Sequence, residues 1–130
     1  MEQFAHSELT GKIIGCAMEV HRQLGVGFME NVYQRALRIE LLRLGLEFDY
    51  EHDMLILYKG EVVGKRRVDF FVENTVMVEI KAITKLEDVH LAQAINYLEA
   101  SNSEIGLLLN FGGKSLDFKR VINRVKKNSL

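Results

Sequence analysis

A chain of 130 residues, 48% hydrophobic and 27% charged, is long enough for one domain with one core, residues 1–130. A chain of that size buries roughly two-thirds of the surface it exposes when unfolded. The composition excludes a disordered tail, a collagen-like fibre and a disulfide knot, and 17 Lys and Arg against 18 Asp and Glu, a net charge of −1, exclude a general polycation. Cys16 is the single cysteine, so neither an internal disulfide nor a cysteine-rich zinc site can form, and a reducing, cytoplasmic setting is expected. Met1 leads into polar sequence, so no signal peptide is expected, and no apolar run approaches the ~18 residues of a membrane span.

The first half reads as helical. Leu9, Ile13, Cys16, Ala17, Val20 and Leu24 recur at spacings of three and four, predicting a helix over Glu8–Leu24 that Gly25 and Gly27 break. A second helix is expected from Met29 to Leu44, ended by Gly45. The period then changes. Phe48–Leu57 and Glu61–Val72 read as strands around a Lys59-Gly60 turn, and Glu73-Asn74 is a two-residue hairpin turn into Thr75–Ala82. That strand is the most apolar, and we place it centrally. Lys85–Ala100 reads as a third helix and Glu104–Phe111 as a fourth strand. Leu116–Ile122 reads as a short last strand or an irregular return. The order ααβββαβ(β) predicts an α/β (α+β) fold, a mixed sheet with helices packed on it.

Three charged residues interrupt the inner strands. Asp69 lies in Val68-Asp69-Phe70-Phe71-Val72, and Glu79 and Lys81 lie in Val76–Ala82. Side chains alternate along a strand, so Glu79 and Lys81 share one face about 7 Å apart, and Val78, Ile80 and Ala82 share the other as core. Buried ionised groups cost several kcal/mol unless paired, hydrogen-bonded or bound to metal. The hairpin brings Asp69 beside Glu79, where two carboxylates repel and a divalent cation between them removes the repulsion. Mg²⁺ takes oxygen ligands, often one or two carboxylates with water and phosphate, so Asp69, Glu79 and the main-chain carbonyl of Ile80 are candidate ligands. Lys81 is suited to orienting a water or phosphate. The same residues also fit a plain Glu–Lys pair on a half-exposed strand, with Asp69 capping a turn.

On the third helix, His90, Gln93 and Tyr97 fall on one face; taken alone this reads more simply as the polar edge of an amphipathic helix with Tyr97 half-buried, but it can also offer an amide and a phenol to a phosphate. Glu30, just after Gly27, either suits the helix dipole or adds a further acid to the metal site. His21, His90 and Tyr33 are candidate phosphate contacts, although a structural hydrogen bond is the favoured reading of each histidine. Residues 111–130 hold Lys114, Lys119, Arg120, Arg124, Lys126 and Lys127 against Asp117, a net +5, leaving −6 on the other 110 residues. Such a tail attracts phosphates, or is simply solvated.

Taken together these motifs resemble a known family. Gly27-Phe28-Met29-Glu30-Asn31-Val32-Tyr33 is similar to the Gly-x-x-Glu-x-x-Tyr signature of the GxxExxY proteins, and Met18–Gly25, Arg67-Val68-Asp69, Val78–Ala82, Val89–Gln93, Asn96-Tyr97-Leu98 and Leu109–Gly112 follow in that family's order. The family is placed in the PD-(D/E)XK nuclease-like superfamily, and the Gln-x-x-x-Tyr helix resembles that of RecB-type and Cas4-type domains. The resemblance implies a restriction-endonuclease-like core and a Mg²⁺- or Mn²⁺-dependent nuclease. It implies that Asp69, Glu79 and Lys81 match the motif, Gln93 and Tyr97 the helix motif, and Glu30 the preceding acid. Val68 stands where the name-giving proline would be.

Other signals fall away. Gly113-Lys114-Ser115 lacks the upstream glycine of a P-loop, Leu108 standing there. Gly25-Val26-Gly27 follows a helix rather than a strand, and Cys16 sits on an apolar stripe. The expected activity is metal-dependent hydrolysis of phosphodiester bonds in DNA, more than RNA, with no membrane involvement and with a homodimer or protein partner as an open option. The alternative is a catalytically silent nuclease-fold module that binds nucleic acid or a protein.

Overall fold

The computed structural model describes residues 6–123. Two helices come first, α1 (Ser7–Leu24) and α2 (Glu30–Arg43). The strands β1 (Phe48–Tyr58), β2 (Glu61–Val72) and β3 (Val76–Lys81) follow, then α3 (Asp88–Ala100), β4 (Ile105–Asn110) and β5 (Asp117–Ile122). The sheet runs β1-β2-β3-β4-β5, with β3 in the centre. β3 and β4 are parallel and the other neighbours antiparallel, so the fold is the expected mixed α/β sheet flanked by helices. The last segment is a strand, because β5 completes the far edge of β4.

Two tight turns set the first three strands. Lys59 (φ 49°) with Gly60 (φ 82°), and Glu73 (φ 52°) with Asn74 (φ 53°), hold both central residues in the left-handed region. That is the type I′ geometry whose twist matches antiparallel strands. α3 begins three residues later than the period predicts. Glu87 caps it: its side chain takes the His90 N–H, while its own N–H donates to His90 Nδ1 at 2.9 Å.

The core lies on both sides of the sheet. Ile13, Val20, Tyr33 and Leu37 of α1 and α2 pack on Phe70, Val78, Ile80 and Leu107. Leu98 and Ala94 of α3 pack on Met77, Leu108 and Val121. β3 and β4 are therefore covered on both faces. Val78 and Ile80 are core as expected, and Met77 and Glu79 on the opposite face of β3 are buried as well. Among the described residues no helix is long and apolar enough to cross a membrane.

The carboxyl ends of the parallel pair are tied together. Asn110 is fully buried. Its Oδ1 accepts from the N–H groups of Ile83 (2.9 Å) and Gly112 (3.2 Å), and its Nδ2 donates to the Ile83 carbonyl at 2.9 Å. The Phe111 N–H donates to the Lys81 carbonyl at 2.9 Å. The chain crosses so closely that a Cβ on Gly112 would lie 2.0 Å from the Ile83 oxygen, whereas one on Gly113 has ordinary clearance. Gly112→Ala is expected to lower unfolding free energy by about 3 kcal/mol or more through backbone displacement. Gly113→Ala is expected to change it by less than about 1 kcal/mol. Urea denaturation of both proteins checks the contrast, and equal midpoints would contradict it.

Candidate active site at the fork between two strands

The site starts from a break in the sheet. β2 and β3 pair over only three steps, the last being Phe70 with Val78. The next step would set Asp69 opposite Glu79, but the strands part there. Parting leaves the Ile80 N–H without a strand partner, and a buried N–H must find one. Asp69 supplies it: the Ile80 N–H donates to Asp69 Oδ2 at 2.7 Å. Gln34 of α2 donates from Nε2 to Asp69 Oδ1 at 2.9 Å, and the Tyr50 hydroxyl donates to Gln34 Oε1 at 3.1 Å.

The same step reverses the faces of β1 and β2. Phe48, Tyr50, Phe70 and Val72 pack on the α1–α2 side, while Met54 and Val68, of the same parity, pack on the α3 side. The reversal falls at Glu51, held at φ 53°, and at Asp69, which faces it between the pairs Tyr50–Phe70 and His52–Val68. Asp69 thus sits in a seam reached from both sides of the sheet. Burial pushes its carboxyl up to about 6. The Ile80 N–H opposes that push, the nearby charges of Glu79 and Glu30 add to it, and Lys81 opposes it.

Glu79 is nearly buried, its side chain 8% exposed, and Arg66 covers it. The guanidinium donates from Nε to Glu79 Oε1 at 3.3 Å and from Nη2 to Oε2. It also lies over the Tyr97 ring, 4.4 Å from the centroid. Burial opposes the positive charge of Arg66, but Glu79 outweighs it and holds the guanidinium pKa above its ordinary value.

The remaining expected residues are distributed as follows. Lys81 is half-buried at the end of β3, beside Asn110 of β4. Glu30 is exposed in the first turn of α2 and acts on Asp69 through its charge. Gln93 is exposed, one turn before Tyr97 on α3. The three candidate phosphate contacts each carry an internal hydrogen bond. Tyr33 is fully buried; its hydroxyl donates to the Gly25 carbonyl at 2.6 Å and accepts the Phe28 N–H at 3.3 Å. His21 is buried, hydrogen-bonded through Nε2 to the Gly113 carbonyl and stacked on Phe111. His90 closes the cap of α3.

The profile of the PD-(D/E)XK nuclease superfamily matches residues 7–125. The chain belongs to the PD-(D/E)XK nuclease superfamily. No curated protein matches it. The crystal structure of SSO0001 aligns at 17% identity with a TM-score of 0.47, covering 94% of this chain and 81% of that one, a likeness that adds nothing to the assignment.

PD-(D/E)XK nucleases usually use divalent metals. Among the described residues no three His, Cys, Asp or Glu side chains form a ready-made metal cluster. Mg²⁺ does not require one, since it commonly takes one or two carboxylates and keeps its waters. Asp69 and Glu79 offer such hard donors, and the upward push on Asp69 by neighbouring anions is the repulsion a cation removes. The donor set therefore fits a small divalent ion once Arg66 yields Glu79.

Three site residues went unread in the sequence: Gln34, Arg66 and Asn110. Gln34 left a signal, a polar residue four positions after Glu30 on the buried stripe of α2. Arg66 left almost none, because Lys65-Arg66-Arg67 looks like a solvated run of charge.

The raised carboxyl of Asp69 gives stability a pH dependence. An unfolded aspartate titrates near 3.9, so between about pH 4 and 6 the folded state binds the extra proton. Stability is greatest with Asp69 protonated and falls as pH rises through that window. Relative to Asp69→Asn, metal-free protein should lose on the order of 3 kcal/mol between pH 4 and 7. Parallel pH–stability curves from urea melts of the two proteins would show that the carboxyl is not held in this way.

Proposed function

We propose that this chain is a Mg²⁺- or Mn²⁺-dependent nuclease that hydrolyses phosphodiester bonds of DNA. The observation that carries the reading is the fork: Asp69 is hydrogen-bonded to the Ile80 N–H, next along the strand from Glu79, with Lys81 one residue further, in a chain of a nuclease superfamily. In this reading Asp69, Glu79 and the Ile80 carbonyl hold the ion, with Glu30 entering from the start of α2. The ion supplies positive charge that acidifies a water and offsets the phosphate's negative charge.

The chain's own groups do the positioning. Lys81, its backbone locked to Phe111, holds an ammonium where it orients the attacking water. Tyr97 and, from the exposed end of the same helix face, Gln93 orient the substrate or the lysine. Lys114 is exposed in the loop after Phe111, at the sheet end shared by Lys81 and Asn110, and is suited to a neighbouring phosphate. Arg124, Lys126 and Lys127 of the basic tail lie outside the described residues.

We also read Gly27–Tyr33 as the GxxExxY signature, and the structure offers a physical account of it. Tyr33, stacked on Phe111 with centroids 4.6 Å apart, pins the loop from Gly25 to Phe28 and so sets where Glu30 starts α2.

Purified protein with Mn²⁺ or Mg²⁺ and mixed single- and double-stranded DNA tests the proposal. Lys81→Ala and Asp69→Ala, checked for fold by circular dichroism, are expected to lower cleavage by about 100-fold or more. Wild-type activity no higher than that of Lys81→Ala overturns the enzymatic reading. Salt-dependent DNA binding with no metal binding would favour the silent module instead.

A further inference from the structure

We infer that Arg66 is a resident counter-ion of Glu79 which the divalent ion displaces, and that the displaced guanidinium then grips a substrate phosphate. The inference rests on the nuclease reading and deepens it.

Four observations carry it. Arg66 holds both Glu79 oxygens, so an ion ligated by Glu79 and an undisturbed Arg66 compete for the same lone pairs. The Arg66 side chain is 25% exposed and that of Glu79 8%, so the guanidinium lies on the open side of the carboxylate, toward arriving ligands. Strand pairing holds the backbone at Arg66 from one side only. Arg66 pairs with Met54 of β1, but the β2–β3 ladder has already ended at Phe70. Finally, the guanidinium stacks on Tyr97, so its path away from Glu79 runs along a group suited to orienting substrate. A doubly charged ion beside Glu79 repels a guanidinium, and a guanidinium released there has the planar fork that binds phosphate in pairs of hydrogen bonds.

Calorimetric titration with Mn²⁺ alone, on wild-type, Arg66→Gln, Arg66→Lys and Asp69→Asn proteins, tests the competition. Arg66→Gln is expected to bind Mn²⁺ roughly tenfold more tightly or better, with Arg66→Lys intermediate and Asp69→Asn not binding. In a Lys81→Ala background, which holds cleavage off, adding Arg66→Gln should weaken metal-dependent binding of a short DNA duplex and lower its salt slope by about one. In the wild-type chain, which avoids any folding defect, Mg²⁺ should shift the Nε–H resonance of Arg66, and in Asp69→Asn it should not.

Suppose wild type binds Mn²⁺ and Asp69→Asn does not. An Arg66→Gln protein with equal or weaker affinity, or an unmoved Arg66 resonance, then overturns this inference and leaves the nuclease reading standing. Failure of wild type to bind Mn²⁺ overturns both.

Discussion

Where β2 leaves β3, one backbone N–H has lost its strand partner inside the core, and the site is built on how that group is satisfied. Leaving the Ile80 N–H unpaired would cost about 1–3 kcal/mol. A neutral side chain would have met the need at less electrostatic cost than the carboxylate of Asp69, which enters a buried seam against its own desolvation. The carboxylate is then itself anchored from α2 through Gln34, whose second amide position is fixed by the Tyr50 hydroxyl. The chain of bonds runs from β1 through α2 to the fork. The placement of α2 over the sheet is therefore part of the site's geometry.

Burial on both faces of the central strands makes the second carboxylate harder to hold than the first. Glu79 lies on the α3 side, flanked along its strand by Met77, which is fully buried. There the partner is a charged side chain rather than a main-chain N–H. Arg66 supplies it from the part of β2 already separated from β3. The face reversal at Glu51 and Asp69 turns Arg66 toward α3 at all. Without it, strict alternation from Phe70 would send Arg66 to the α1–α2 side. One residue with left-handed backbone thus decides which cation meets Glu79.

The parts legible in the sequence were those written in local period. The apolar stripes of α1 and α2, the Lys59-Gly60 and Glu73-Asn74 turns, and the largely apolar run of β3 each report short-range physics. The acids out of place in β2 and β3 were equally visible, because burial makes a charge conspicuous. Less local features were not. α3 starts late because its cap is Glu-x-x-His rather than the usual Ser/Thr-x-x-Glu. A glutamate at positive φ carries no mark in a sequence, so the face reversal, and with it the role of Arg66, was hidden. Tyr33, His21 and His90 drew attention as functional polar groups. In the fold each carries an internal hydrogen bond, the role the sequence already favoured for the two histidines.

The pairing of Glu79 with Arg66 also separates folding from chemistry. A buried glutamate with no counter-charge costs several kcal/mol, enough to threaten a domain whose total stability is of order 10 kcal/mol. A site that relied on a metal for neutrality would make the whole chain's folding depend on metal supply. With an internal cation in place, the sheet closes and α3 docks before any ion arrives. An ion arriving there would meet a site already neutral rather than an electrostatic hole. Asp69 is balanced differently: it accepts from the Ile80 N–H and from Gln34, while burial raises its pKa to about 6. The two carboxylates at the fork are thus held by different means, one by neutral donors and one by a guanidinium.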